Sequence, residues 1–153
     1  MIRWRKSTIA FFYFFSLFLL PHFGYSSAKD DFLKGVESLR LPNYFKAYNC
    51  FTSALSRSRE EGNLRLETES MLQLGKLSLL LSRNDSAIYF LSRGKELAYR
   101  HFRNDTKLYG VFNLELGNAY VEVDDIERAA IYLRNAILLC ETAYGKEDMQ
   151  TAY

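Results

Sequence analysis

One short pattern is written three times along this chain. Gly35, Gly75 and Gly117 are spaced by 40 and 42 residues. Twelve residues after each stands an alanine: Ala47, Ala87 and Ala129. Four further on comes a large apolar residue, Phe51, Leu91 or Leu133, and three beyond that a small one, Ala54, Gly94 or Ala136. The last two copies also share Leu72/Leu114, Leu74/Leu116 and Leu97/Leu139 at the 42-residue offset. A period of this length marks a supersecondary unit that hides its apolar face by stacking on its neighbours. The chain of 153 residues is long enough for one domain and short for two. With only 8 Gly and 2 Pro and an abundance of Leu, its composition favours helix over a turn-rich all-β fold.

Within each copy the apolar spacing is helical. In copy three it predicts a helix over 107–122, through Leu108, Val111, Phe112, Leu114, Leu116, Ala119, Tyr120 and Val123. Asp124 and Asp125 follow as N-cap residues, and a second helix over 126–144 is expected to stop at Gly145, a residue suited to the C′ position. Copy two pairs helices over 66–81 and 86–103. Copy one pairs 30–40 with 44–59, with Pro42 and Asn43 between them. Helices joined by about four residues lie antiparallel. A glycine inside a helix costs about 1 kcal/mol relative to alanine. Three glycines at matching places therefore imply close packing that offsets the cost. The spacing suggests that each faces the alanine of its own hairpin: Gly35 with Ala47, Gly75 with Ala87, Gly117 with Ala129.

This arrangement resembles the tetratricopeptide repeat. Leu116-Gly117, Tyr120, Ala129, Leu133 and Ala136 match that pattern. Copy two matches at Leu74-Gly75, Ala87 and Leu91, with Ser78 for the tyrosine and Gly94 for the last alanine. Copy one matches at Gly35, Ala47, Phe51 and Ala54, but departs at Lys34 and Ser38. The 40–42 spacing and Ala143-Tyr144-Gly145-Lys146-Glu147-Asp148 are similar to the longer, kinesin-light-chain type of repeat. The resemblance implies an all-α fold: a right-handed α-solenoid of about three antiparallel helix pairs over residues 29–153. It implies a non-catalytic scaffold that binds a partner protein or peptide.

The first 28 residues read as an export signal. Arg3, Arg5 and Lys6 form a basic head, and residues 9–20 are an apolar run interrupted by Ser16. Ser26-Ser27-Ala28 supplies small residues before a cut after Ala28. The run is short for a bilayer span, which needs about 20 apolar residues. A cleaved signal is the leading reading, and an uncleaved anchor at residues 7–20, the one route to membrane contact, is the alternative. Removing three of the 20 basic residues against 18 acidic ones leaves one net negative charge. The mature chain has no concentrated basic surface of the kind nucleic acid requires. Cys50 and Cys140, 90 residues apart, read as buried thiols acting as small hydrophobes.

In tetratricopeptide arrays the first helix of each pair lines the concave side. That resemblance places Gln73 and Lys76 in copy two, and Asn118 and Glu122 in copy three, along a partner-binding groove. Leu72 and Leu114 stand where a carboxylate clamp would want polar residues, so a peptide or protein surface is the better expectation. The last helix carries Ile137-Leu138-Leu139-Cys140, apolar on more than one side. Such a helix expects neighbours. Either the array continues past residue 153, with Lys146-Glu147-Asp148 capping a further helix, or a partner or second copy covers the end.

Catalytic material is sparse. His101 is the one histidine beyond the signal and lacks a nucleophile or orienting acid in any motif. No glycine-rich phosphate loop is present. Asp124-Asp125 with Glu122 and Glu127 is too short for an EF-hand and reads as helix capping. Arg93, Arg100, Arg103 and Lys107 form a basic stripe read as a solvated face. Tyr89, Phe90, Tyr99, Phe102, Tyr109 and Phe112 read as packing between copies. The expectation is an exported interaction scaffold of the periplasm, cell envelope or secreted space, without cofactor or metal. The alternative is the extracytoplasmic sensory front of a longer signalling protein.

Overall fold

A computed structural model describes residues 26–150, with side chains as far as Thr142. The proposed signal lies largely outside this range. Six helices follow one another: α1 (Ala28–Arg40), α2 (Tyr44–Glu60), α3 (Leu64–Leu80), α4 (Asn84–His101), α5 (Thr106–Glu122) and α6 (Ile126–Gln150). Each packs on the next, making hairpins α1–α2, α3–α4 and α5–α6. The first helices also touch along the stack, α1 against α3 and α3 against α5.

The caps set the rhythm. Asn43, Asn63, Asp105 and Asp125 accept the backbone N–H three residues on, at 2.9–3.1 Å. Each thereby satisfies a donor that a helix start leaves without a partner. α1 begins with a capping box: Ser27 Oγ accepts from the Asp30 N–H, while the Ser27 N–H donates to the Asp30 carboxylate. The short turns share one closure, in which the cap N–H reaches back five residues: Asn43 to Ser38, Asn63 to Ser58, Arg83 to Ser78 and Asp125 to Tyr120. The residue before the cap takes positive φ at Gly62 (67°), Ser82 (55°) and Asp124 (58°), as a left-handed helix stop requires. From α2 on, helices thus restart every 20 residues, except that α4 and the Phe102–Asp105 connection are each one residue longer. Those two residues turn the first spacing of 40 into 42.

The core is built where glycine meets a large apolar side chain. A Cβ built on Gly35 would stand 2.7 Å from Phe51, one on Gly75 2.5 Å from Leu91, and one on Gly117 2.6 Å from Leu133. The nearest atoms therefore belong to the residue 16 positions on, one turn past the alanines that the spacing suggests. Ala47, Ala87 and Ala129 are buried beside these contacts. Between hairpins, Phe112 of α5 lies on Gly94 of α4, where a Cβ would meet its ring at 2.6 Å. Ala54 and Ala136, at the same register, are also buried.

Three expectations change. α1, α3 and α4 begin two residues earlier than the apolar period indicates; in α4 the first turn, Asn84-Asp85-Ser86, is polar. α6 continues through Gly145 to Gln150, so no new helix is capped at residues 146–148. A lone glycine costs a helix about 1 kcal/mol but does not end it without a further breaker. Cys140 is exposed, Cys50 is half-buried, and both thiols are free. Ser26 to Ala28, the last residues of the proposed signal, contact the first hairpin. Ala28 is fully buried, its N–H donates to Glu61 at 2.9 Å, and Arg57 bonds both Asp31 and the Ser26 carbonyl.

Candidate functional site

α3 and α5 set the sequence-derived groove residues side by side. Lys76 leaves α3 one turn after Gln73, and its Nζ lies 3.5 Å from Glu115 Oε1 on α5. Asn118 and Glu122 follow Glu115 at one-turn intervals on the same side of α5, both exposed. Gln73 is half-buried. Lys76 is therefore not a free cation: it ties copy two to copy three, and an incoming acidic group would compete with Glu115 for it.

Sequence reading missed Glu115. The signal was present, since Glu115 stands at the 42-residue offset from Gln73. It also missed how apolar this side is. Leu33 on α1, Leu80 on α3, and Leu114 and Val121 on α5 are 45–58% exposed. They fall at helical spacing with the polar positions: Gln73, Lys76 and Leu80 on α3, and Leu114, Asn118 and Val121 on α5. Exposed apolar side chains ordered along successive helices, with a few polar groups between them, make a surface suited to laying down a peptide.

A second join holds the stack on another edge. Arg65 of α3 reaches Asp105, the cap of α5, at 2.6 Å, and Glu69 at 2.6 Å. Hydrogen bonds to Asp105 first, and then to Glu69, raise the guanidinium's pKa. Partial burial works to raise that of Asp105, but the Leu108 N–H and Arg65 outweigh it, so this carboxyl sits below its usual range. Asp125 is held low in the same way by Arg128.

His101 ends α4, exposed beside Phe102. Asp125 caps α6 as anticipated. In the basic stripe, Arg93 and Arg100 both pair with Glu96, and Arg103 lies over the Tyr99 ring at 4.6 Å. Of the aromatic set, Phe112 is fully buried, Phe90, Phe102 and Tyr109 pack partly, and Tyr89 and Tyr99 remain about half exposed. Among the described residues, no three His, Cys, Asp or Glu side chains are grouped to hold a metal ion. No described helix is long and apolar enough to cross a membrane.

No family model matches the chain, and no curated protein is similar to it. Among solved structures it superposes on the tetratricopeptide-repeat domain of Arabidopsis FLU with a TM-score of 0.67 and 23% identity, covering 75% of this chain and 95% of that one. The fold is a tetratricopeptide-like helical solenoid. Within that solenoid α1, α3 and α5 are the first helices of their hairpins, and the side they expose together carries Lys76, Glu115, Asn118 and Glu122.

Proposed function

We propose that this chain is a non-catalytic scaffold that binds a segment of another protein along the exposed side of α1, α3 and α5. The observation that carries this reading is the row Leu33, Leu80, Leu114 and Val121, open on successive first helices with Lys76 and Asn118 between them. Apolar contacts give the partner segment its affinity, and the polar positions fix its register. Peptides selected against the full chain from a displayed random library test it. Changing Lys76 and Asn118 together to alanine should weaken those peptides at least about tenfold, or about 1.4 kcal/mol, with helicity intact. Unchanged binding would contradict the groove.

Export belongs to the same proposal, with the basic head, apolar run and small residues of 1–28 as its support, and with the periplasm, cell envelope or secreted space as its destination. An anchor left uncleaved at residues 7–20 is the alternative. Mass measurement of the exported chain separates them: a start at Lys29 supports the cut after Ala28, and retention of Met1 opposes it. Removing Ser27 and Ala28 would also cost α1 its cap and its bond to Glu61.

A second reading, the sensory front of a longer signalling protein, draws on α6. There Ile131, Ile137 and Leu138 are exposed, and Cys140 stands open at the register where Ser58 and Ala98 are buried. Such a side suits a further repeat, a partner or a second copy. Reading the gene past codon 153 tests it. Further repeats followed by a transmembrane segment would favour it, and an immediate stop would remove it.

A further inference from the structure

Lys95 stands at a place its sibling copies fill with hydrocarbon. At the same register copy one has Leu55, 6% exposed, and copy three has Ile137, 56% exposed on the last helix. Lys95 is half-buried on α4, yet no described carboxylate lies within ion-pair distance of it. Its neighbour Glu96 is already committed to Arg93 and Arg100. What surrounds the ammonium is aromatic: Nζ lies 4.4 Å from the centre of the Tyr132 ring on α6 and 5.5 Å from that of Tyr109 on α5. Tyr99 is next to Tyr109 at 6.1 Å, and Tyr120 stacks on Tyr132 at 5.3 Å. Tyr99, Tyr109 and Tyr132 bound an open cleft of about 230 Å³, lined also by Leu116, Ser92, Lys95 itself and Glu96, whose carboxylate is held by Arg93 and Arg100.

Ring faces attract a cation but do not neutralise it. Partial burial of a charge without a counter-ion carries a desolvation cost that leucine or isoleucine at this register would avoid. We propose that this cleft is a second recognition site, in which the carboxylate of an acidic residue on a partner peptide meets Nζ of Lys95 between Tyr99, Tyr109 and Tyr132. The cleft is the size of a side chain, which fits one anchoring residue better than a whole ligand. Burial also pushes the Lys95 pKa down, in keeping with a cation that lacks its counter-charge. The site faces α4 and α6, away from the Lys76–Glu115 side of α5, and so stands independently of the groove.

The test is an amide-shift titration of the full chain with the capped tripeptide acetyl-Ala-Glu-Ala-amide and with its glutamine counterpart. The glutamate peptide should give saturable shifts at Lys95, Tyr109 and Tyr132, and the glutamine peptide should bind at least about tenfold more weakly. Lys95→Gln should abolish the difference. Lys95→Ile, which copies the residue of copy three, should lose binding while the melting temperature holds or rises by about 2–4 °C. Equal response to both peptides, shifts that persist in Lys95→Gln, or no saturation at millimolar peptide would overturn the site. Inorganic phosphate acting as strongly as the glutamate peptide would overturn the peptide assignment. A fall in melting temperature for Lys95→Ile would show the lysine to be a structural member of the ring stack and would overturn it too.

Discussion

Leu91 fills the space that a side chain on Gly75 would need: a Cβ there would stand 2.5 Å from Leu91 Cγ and 2.6 Å from Cδ2. The branch point of a buried leucine cannot swing aside as the end of a flexible chain would. Gly75→Ala gains up to about 1 kcal/mol of helix propensity but forces overpacking that costs about 1–3 kcal/mol. The expected outcome in urea unfolding is a net loss of about 1 kcal/mol or more. A stabilised Gly75→Ala would mean that the hairpin does not need this close approach.

Gly110 is the contrasting case. A Cβ at this position would meet Leu139 Cβ at 3.5 Å and Cys140 Sγ at 4.0 Å, ordinary contact distances. The helix-propensity term is then uncancelled. Gly110→Ala is expected to stabilise the chain by about 0.5–1 kcal/mol, measured in the same unfolding series.

The Arg65–Asp105 pair makes a prediction about pH. Asp105→Asn keeps a capping oxygen on Leu108 N–H but removes the charge facing Arg65. Both side chains are partly open to water, 48% and 30%, so the pair is worth only about 0.5 kcal/mol. The folded pKa of Asp105 is depressed. Its contribution is therefore complete above the unfolded value of about 3.9 and disappears as pH falls through the folded value. The stability gap between wild type and Asp105→Asn should be steady near neutral pH and close in strong acid. A gap that widens on acidification would reverse the sign of the interaction.

The helices, their pairing and the matching glycines were legible in the sequence because the same residue types recur at fixed offsets. Atomic partners were less legible. Spacing placed Gly75 on the right side of its helix but suggested Ala87, whereas the cavity takes the larger Leu91 one turn on. The start at Asn84 was blurred because the polar first turn Asn84-Asp85-Ser86 carries little apolar period, and Arg83 caps α4 without a side-chain bond. Gly145 looked like a stop, but glycine only weakens a helix. Of the groove, Lys76 and Asn118 were visible by register, while Glu115 emerged only when the two first helices were laid side by side. The Lys95 cleft was not legible at all, since it joins residues from three helices that no local pattern links.

Each hairpin leaves apolar surface that only the next one covers: Phe112 of α5 seals Gly94 of α4. A hairpin cut out of the stack should therefore be unable to hold itself together. Thermal melting of residues 64–101 alone, followed by circular dichroism beside residues 26–150, is the most direct check. The longer chain should melt in one cooperative transition, and the lone hairpin should show weak helicity that fades gradually. A sharp, concentration-independent transition in the isolated hairpin would contradict the stacked solenoid and the shared surface built on it.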